Sequence, residues 1–382
     1  MTQRRRLTER SVALPKAGKD SSIRIAIPPR ALVGLGLAVC FVWALVWLQA
    51  DRLTVGADNS FHGLYIAARG VAAGELPEAA GGPGLPVRAV LVSPLSRLPY
   101  PAASLTFQIL ALWAAVGFVA WWRPPGPSWT LLFAAISAPL FLALWRGHET
   151  VFFLLALAWA ARQASRGGLF AAGLALSVCA VQLHLFLLLP VMLAARRASR
   201  LTLGFLTGAA VWAAASFAVD PHWPQGLAAS FAAAAQALDP RLAPNFNGLL
   251  HGAVYAGAIE AAAGVAVAAL VWGVARRSSL ELALAFCAAA SLLVSHYAQP
   301  ADALLFLPLS LYVFARGRTL SERTLATLAM IPLPFLAGLV FSMEAFTYLA
   351  LALLLWTGFE ALRAAEDETD AAAQPAANLS LS

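Results

Sequence analysis

Charge is what this sequence has least of. Only 12% of its 382 residues are Asp, Glu, Lys or Arg, while 60% are hydrophobic. A water-soluble domain carries roughly 25% charged residues, so an ordinary soluble globule is excluded. Cysteine is scarce as well. Cys40, Cys179 and Cys287 all sit inside apolar runs, which leaves no disulfide framework in an exposed loop and no spaced pair to ligate a metal. Internal repeats are missing, which weighs against a transporter built from two inverted halves. The first apolar run lacks an A-x-A-like cleavage site, so no removable signal peptide is expected.

What the chain does have is long apolar runs. Mean hydropathy is +0.74, and runs of about 18–22 residues recur, each near the length that crosses a ~30 Å hydrocarbon core. The expectation is an all-α polytopic membrane protein with about 12 transmembrane or half-membrane helices. Residues 1–30 carry Arg4, Arg5, Arg6, Arg10, Lys16, Lys19, Arg24 and Arg30 and read as a disordered basic cytoplasmic tail. A transmembrane domain over 31–363 follows, with external loops at 51–101 and 220–250, and then a disordered cytoplasmic tail at 364–382. Within the domain, spans are expected near 31–50, 102–122, 128–145, 150–164, 201–219, 253–274, 280–295, 301–315, 325–341 and 345–363.

Residues 168–195 carry basic clusters at both ends: Arg162 and Arg166 before, Arg196, Arg197 and Arg200 after. One crossing would put one cluster outside. Two short helices meeting near Gln182 and His184 keep both inside, so a shallow hairpin is expected. In this layout the outer arginines are Arg52, Arg69, Arg88, Arg97, Arg146 and Arg241, and every other Lys or Arg of the 26 falls inside. The net charge of +7 is thereby explained as a topology signal and not as affinity for nucleic acid.

Residues 58–77 form the most distinctive stretch. Phe61, Leu64, Tyr65, Ala68 and Val71 or Ala72 recur at helical spacing, which predicts an amphipathic helix lying along the interface. Asp58 stands at its start, either as a helix cap or as a chemical group. All six histidines (62, 148, 184, 222, 251, 296) fall in the outer half. Polar groups at membrane depth are costly and tend to be kept for function. A carboxylate there can take a proton from a hydroxyl, and arginines and histidines can hold a lipid-linked phosphate. Sugar transfer, lipid-phosphate hydrolysis and lipid flipping all fit that set of groups.

Over roughly residues 31–320 the order of motifs resembles glycosyltransferase family 87, mannosyltransferase-like membrane enzymes of the GT-C superfold. Asp58 follows a span. Tyr65, Ala67-Ala68 and Gly74 match an amphipathic helix closed by glycine, and Pro94, Pro99 and Pro101 a proline-containing stretch. Gly147-His148 opens a span, QLHLFLLLP at 182–190 matches a short hairpin, and Ser295-His296-Tyr297 a late Ser-x-x-His-His-like motif. The family's Tyr-Pro-Pro is replaced by LPVRAVLVSP, its glutamine by His148, and its hairpin lysine by Gln182 or His184.

The resemblance implies a GT-C fold and inverting transfer of a hexose, mannose foremost, from a polyprenyl-phosphate donor to a lipid or glycan acceptor. It implies no metal, in keeping with outer loops that contain no Asp-x-Asp, and no other cofactor. Asp58 would be the general base, and His296 would assist it or bind the donor phosphate. Arg146, His148, Gln182, His184, Arg69 and Arg88 would hold the donor phosphate. Tyr65, Asn245, Asn247 and Tyr297 would line the acceptor side. Membrane lipids are the remaining partners, and a bacterial cell (inner) membrane with both termini cytoplasmic is the expected location. The alternatives are a lipid or glycolipid transporter or flippase, and an inactive relative that binds carrier lipid.

Overall fold

The computed structural model describes residues 60–74, 84–237, 239–317 and 319–379. All of them belong to one compact unit, Ala50–Ser382. Asp58 and the first expected span, 31–50, lie outside the described residues. Among the described residues every regular element is helical.

Helix α1, Ser60–Ala72, forms where the spacing predicts it and buries Phe61, Leu64, Tyr65, Ala67 and Ala68. Its apolar face is not an interfacial surface, however. Phe61, Tyr65 and Ala68 pack with Val92, Ala103, Phe107 and Tyr100, so protein covers the stripe expected to lie along lipid. The covering comes from the neighbouring segments: α2 (Val87–Val92), a 3-10 turn at Leu95–Arg97, and α3 (Tyr100–Trp121). Tyr65 Oη donates to Leu98 O at 2.8 Å and pins the helix to that turn.

The next spans run as α4 (Pro127–Ile136), α5 (Ala138–Trp145) and α6 (Thr150–Ala164). The single span expected at 128–145 is bent by 65° between α4 and α5. Ser137 sits at the bend with φ −69° and ψ 108°, and its hydroxyl accepts from Leu140 N as a new N-cap. Pro139, two residues on, suits a helix's first turn and cannot continue the one before.

The segment after α6 does reverse. Helix α7 (Leu169–Leu176) leads into a 3-10 stretch, Ser177–Phe186, broken at Gln182 (φ −121°, ψ 72°). Helix α8 (Leu189–Arg196) then returns, and α9 (Ser199–Val219) goes out again. Contacts fix these directions. Gly173 lies against Leu201 and Phe205, and Ser177 Oγ accepts from Trp212 Nε1, so α7 and α9 run the same way. Leu188 N donates to Ser291 Oγ, while Arg196 Nη1 donates to Ala275 O and Ser278 O. Both basic clusters therefore sit at one end of the bundle.

An Ala-rich helix α10 (Trp223–Ala237), a short α11 (Phe246–Leu249) and the long α12 (Ala256–Arg277) follow. Helix α13, Leu280–Val294, is the centre of the molecule, and every residue from Leu282 to Leu293 is buried. At 1.5 Å per residue it is about 22 Å long, shorter than a bilayer core. Protein surrounds it, so its length need not match lipid. The expected span 301–315 begins as a buried 3-10 helix, Pro300–Phe306, and continues as α14 (Leu307–Arg316). The expected span 325–341 is two helices, α15 (Leu320–Met330) and α16 (Pro332–Val340), bent by 49° where Pro332 interrupts the ladder. Helix α17, Glu344–Leu379, closes the described chain. Among the described residues five helices are long and apolar enough to cross a membrane, or up to seven with each bent pair counted as one.

Candidate functional site

The polar end of the bundle, opposite the basic clusters, is where distant segments converge. The loop between α5 and α6 makes the first join. Gly147 adopts φ +62°, and a Cβ there would lie 2.6 Å from Phe61 Cβ. Only glycine lets the loop turn so close to the start of α1. Phe61 N donates to Arg146 O at 3.4 Å across this contact. The side chain of Arg146 is half-buried, and its Nε has no hydrogen-bond partner.

Glu149 makes the second join. Its carboxylate takes Arg88 Nε at 2.9–3.1 Å and Gln182 Nε2 at 2.6 Å. The Arg88 and Glu149 side chains are 11% and 13% exposed, so the pair is largely withdrawn from water. The break at Gln182 frees the carbonyl of Val181, which accepts from Leu85 N at 3.1 Å. A freed backbone group inside an apolar bundle needs such a partner. One cluster thus ties helix α2, the α5–α6 loop and the break at Gln182 together.

The third join is a chain of side chains reaching the segment after α13. His148 Nδ1 lies 2.8 Å from Thr150 Oγ1, and Thr150 Oγ1 donates to Asp302 Oδ1 at 2.5 Å. Asp302 is 1% exposed, and its other oxygen accepts from Gln299 N at 2.8 Å. His148 Nδ1 is 3.4 Å from Asp302 Oδ1, close enough for an ion pair when protonated. Ser60 Oγ, at the head of α1, reaches Gln299 Oε1 at 3.5 Å.

From here an aromatic line runs across the same end. His184, with Nδ1 buried and unpartnered, is within electrostatic range of Arg88 and His148 and packs edge-on against Phe231. Phe231 stacks on Tyr297 with ring centres 4.9 Å apart, and Tyr297 meets His296. His296 Nδ1 pairs with Glu260 at 3.0 Å. The loop holding Asn245 and Asn247 clamps this corner. Asn245 is fully buried, capping Gly248 N and donating to Ser295 O, and Asn247 Nδ2 donates to His296 O.

The structure therefore brings together Arg146, His148, Arg88, Gln182, His184, His296 and Tyr297. Arg69 lies exposed near the other end of α1 and takes no part. Tyr65 and Asn245 spend their polar atoms on backbone groups within the scaffold. Sequence reasoning singled out neither Thr150 nor Glu260 and gave no role to Glu149 or Asp302. Glu260 did carry a signal: it is a lone carboxylate in the apolar helix Ala256–Arg277, and such residues face a bundle interior or a polar cavity. Thr150 carried none, because a threonine at the start of an apolar helix is unremarkable until its partners are known.

Helices able to cross a membrane, and a cluster of cations and carboxylates gathered at one end of them, define a multi-pass membrane protein with a polar site at the bundle's rim. The profile of glycosyltransferase family 87 matches residues 86–308. That interval is more than half of the chain and runs from Arg88 past Asp302. The protein belongs to glycosyltransferase family 87 and is a membrane glycosyltransferase acting between a sugar donor and an acceptor. No curated protein and no solved structure matches the chain.

Proposed function

We propose that this enzyme moves a hexose, mannose foremost, from a polyprenyl-phosphate carrier to a lipid or glycan acceptor on the extracytoplasmic face of a bacterial inner membrane. Asp58 acts as general base and the sugar carbon inverts. The scaffold is of GT-C type with about twelve crossings, and both termini are cytoplasmic. One observation carries this reading: Arg88, His148, His184 and His296 are gathered with Glu149 and Asp302 beside the head of α1.

Asp58 precedes Ser60 by two residues, a step of at most ~7 Å, and Ser60 already touches Gln299. Arg88 is engaged by Glu149 through Nε, which leaves its terminal nitrogens to serve a phosphate. His296, 43% exposed and oriented by Glu260, supports the second half of the donor site. Tyr297, Asn247 and Phe231 supply an aromatic and amide wall on which a sugar or acceptor can rest.

The test is transfer by purified protein from a panel of polyprenyl-phosphate sugars, following release of polyprenyl phosphate. Asp58→Asn should abolish release while leaving expression and thermal unfolding unchanged. Undiminished release by that variant removes Asp58 from its role, and failure on every donor of the panel removes the donor class.

A further inference from the structure

We infer that Thr150 and Asp302 are positioning residues that hold His148 as an imidazolium, with its Nε2–H turned to the donor's phosphate. The inference rests on the donor class proposed above. Its starting point is Asp302, a carboxylate buried to 1% exposure among apolar residues of the segment after α13. A buried carboxylate needs hydrogen bonds and a counter-charge. Asp302 Oδ2 is occupied by Gln299 N as part of a helix cap. Capping accounts for that oxygen alone. Oδ1 faces the other way, toward α6, and takes the Thr150 hydroxyl. Among the described residues the cation at ion-pair distance from Asp302 is His148.

The hydrogen bonds have one consistent direction. A threonine hydroxyl has a single proton. Thr150 gives it to Asp302 at 2.5 Å, so toward His148 its oxygen accepts. His148 Nδ1 must then carry a proton. That holds whether the ring is neutral or charged, so Nε2 is the nitrogen left for a ligand. No protein group among the described residues bonds it. The neighbouring charges are Asp302 across the threonine, Glu149 next in the chain, Arg88 paired with Glu149, and His184. The Glu149 carboxylate is already matched by Arg88, which leaves Asp302 to be matched by His148.

Such a group fits the leaving side of the reaction. The bond between the sugar's anomeric carbon and the phosphate oxygen breaks, and its electron pair goes to that oxygen. The acceptor oxygen bonds the carbon, and its proton passes to the base. The carrier phosphate changes from a singly charged diester to a monoester with a second negative charge. A hydrogen bond from a fixed imidazolium Nε2–H strengthens as that charge develops, and this is the kind of contact that raises kcat.

Thr150 is fully buried, so Thr150→Val keeps the shape and removes only the hydroxyl, whereas Thr150→Ser keeps the hydroxyl. With undecaprenyl-phosphate mannose as probe, Thr150→Val should lower kcat on the order of tenfold to a hundredfold, as expected for losing one hydrogen bond to a charged group. Its KM should change by far less, and Thr150→Ser should recover most of the loss. Equal kcat in wild type and Thr150→Val, or equal loss in Val and Ser variants, overturns the proposal. A second readout needs no turnover. In protein labelled with 15N in its histidine rings, with His148→Gln for assignment, the His148 Nδ1 signal should be that of a protonated nitrogen in wild type and Thr150→Ser and should change in Thr150→Val. Should wild type transfer no sugar from any donor, this signal still decides the tie, and an unaltered signal in Thr150→Val refutes it.

Discussion

Gly147→Ala is the substitution that tests how the candidate site is assembled. Two costs are readable from the structure. Alanine at φ +62° sits in the left-handed region, which costs roughly 1–2 kcal/mol. Its new Cβ would also lie 2.6 Å from Phe61 Cβ and 3.5 Å from Phe107 Cδ1. Phe61 Cβ is anchored directly to the α1 backbone, so the helix itself must move, and overpacking of that kind costs about 1–3 kcal/mol. Together the change should destabilise by about 2–5 kcal/mol. Gly74→Ala is the control, since Gly74 has φ +79° with nothing within 4 Å of the added atom and bears the backbone cost alone. The assay is thermal unfolding of detergent-solubilised protein by intrinsic fluorescence, paired with sugar transfer. Gly147→Ala should melt several degrees below Gly74→Ala, on a scale of roughly 2–4 °C per kcal/mol for a large domain. It should also lose transfer, because the head of α1 shifts off Gln299. Equal melting of the two variants would refute the claim that α1 is seated by contact with this glycine.

Three further outcomes are expected. Gly204→Ala places a Cβ 2.1 Å from Phe170 O, a backbone atom that cannot yield, so α7 and α9 must part at a cost of about 1–3 kcal/mol. Gly257→Ala, in open space on α12, should leave the melting temperature unchanged or slightly raised. Glu149→Gln leaves the largely buried Arg88 without its counter-charge while keeping an acceptor for Gln182. Removing one member of such a pair costs about 3 kcal/mol, so this variant should melt early and transfer sugar more slowly.

Local pattern revealed the elements but not their junctions. The spacing of Phe61, Leu64, Tyr65 and Ala68 was enough for a helix, because one turn's periodicity is written in neighbouring residues. Whether lipid or protein covers that face was not, because Ala103 and Phe107 lie a loop away. The reversal at Gln182 was legible from the two flanking basic clusters, which the positive-inside tendency keeps on one side and which lie at one end of the bundle. The bend at Ser137 was not foreseen, although its Ser-Ala-Pro sequence is a usual N-cap and first turn.

The sequence by itself determined that this chain is helical, membrane-embedded and a member of its glycosyltransferase family, since hydropathy, charge placement and motif order are properties of the linear string. Tertiary structure alone decided which polar groups meet. Thr150 and Asp302 are 152 positions apart, and Arg88 and Glu149 are 61 apart. No local rule links residues so distant. They meet because the segment after the buried helix α13, the start of α6 and helix α2 all come to one end of the bundle. There a carboxylate withdrawn from water has to find its partners among whatever side chains the other helices deliver.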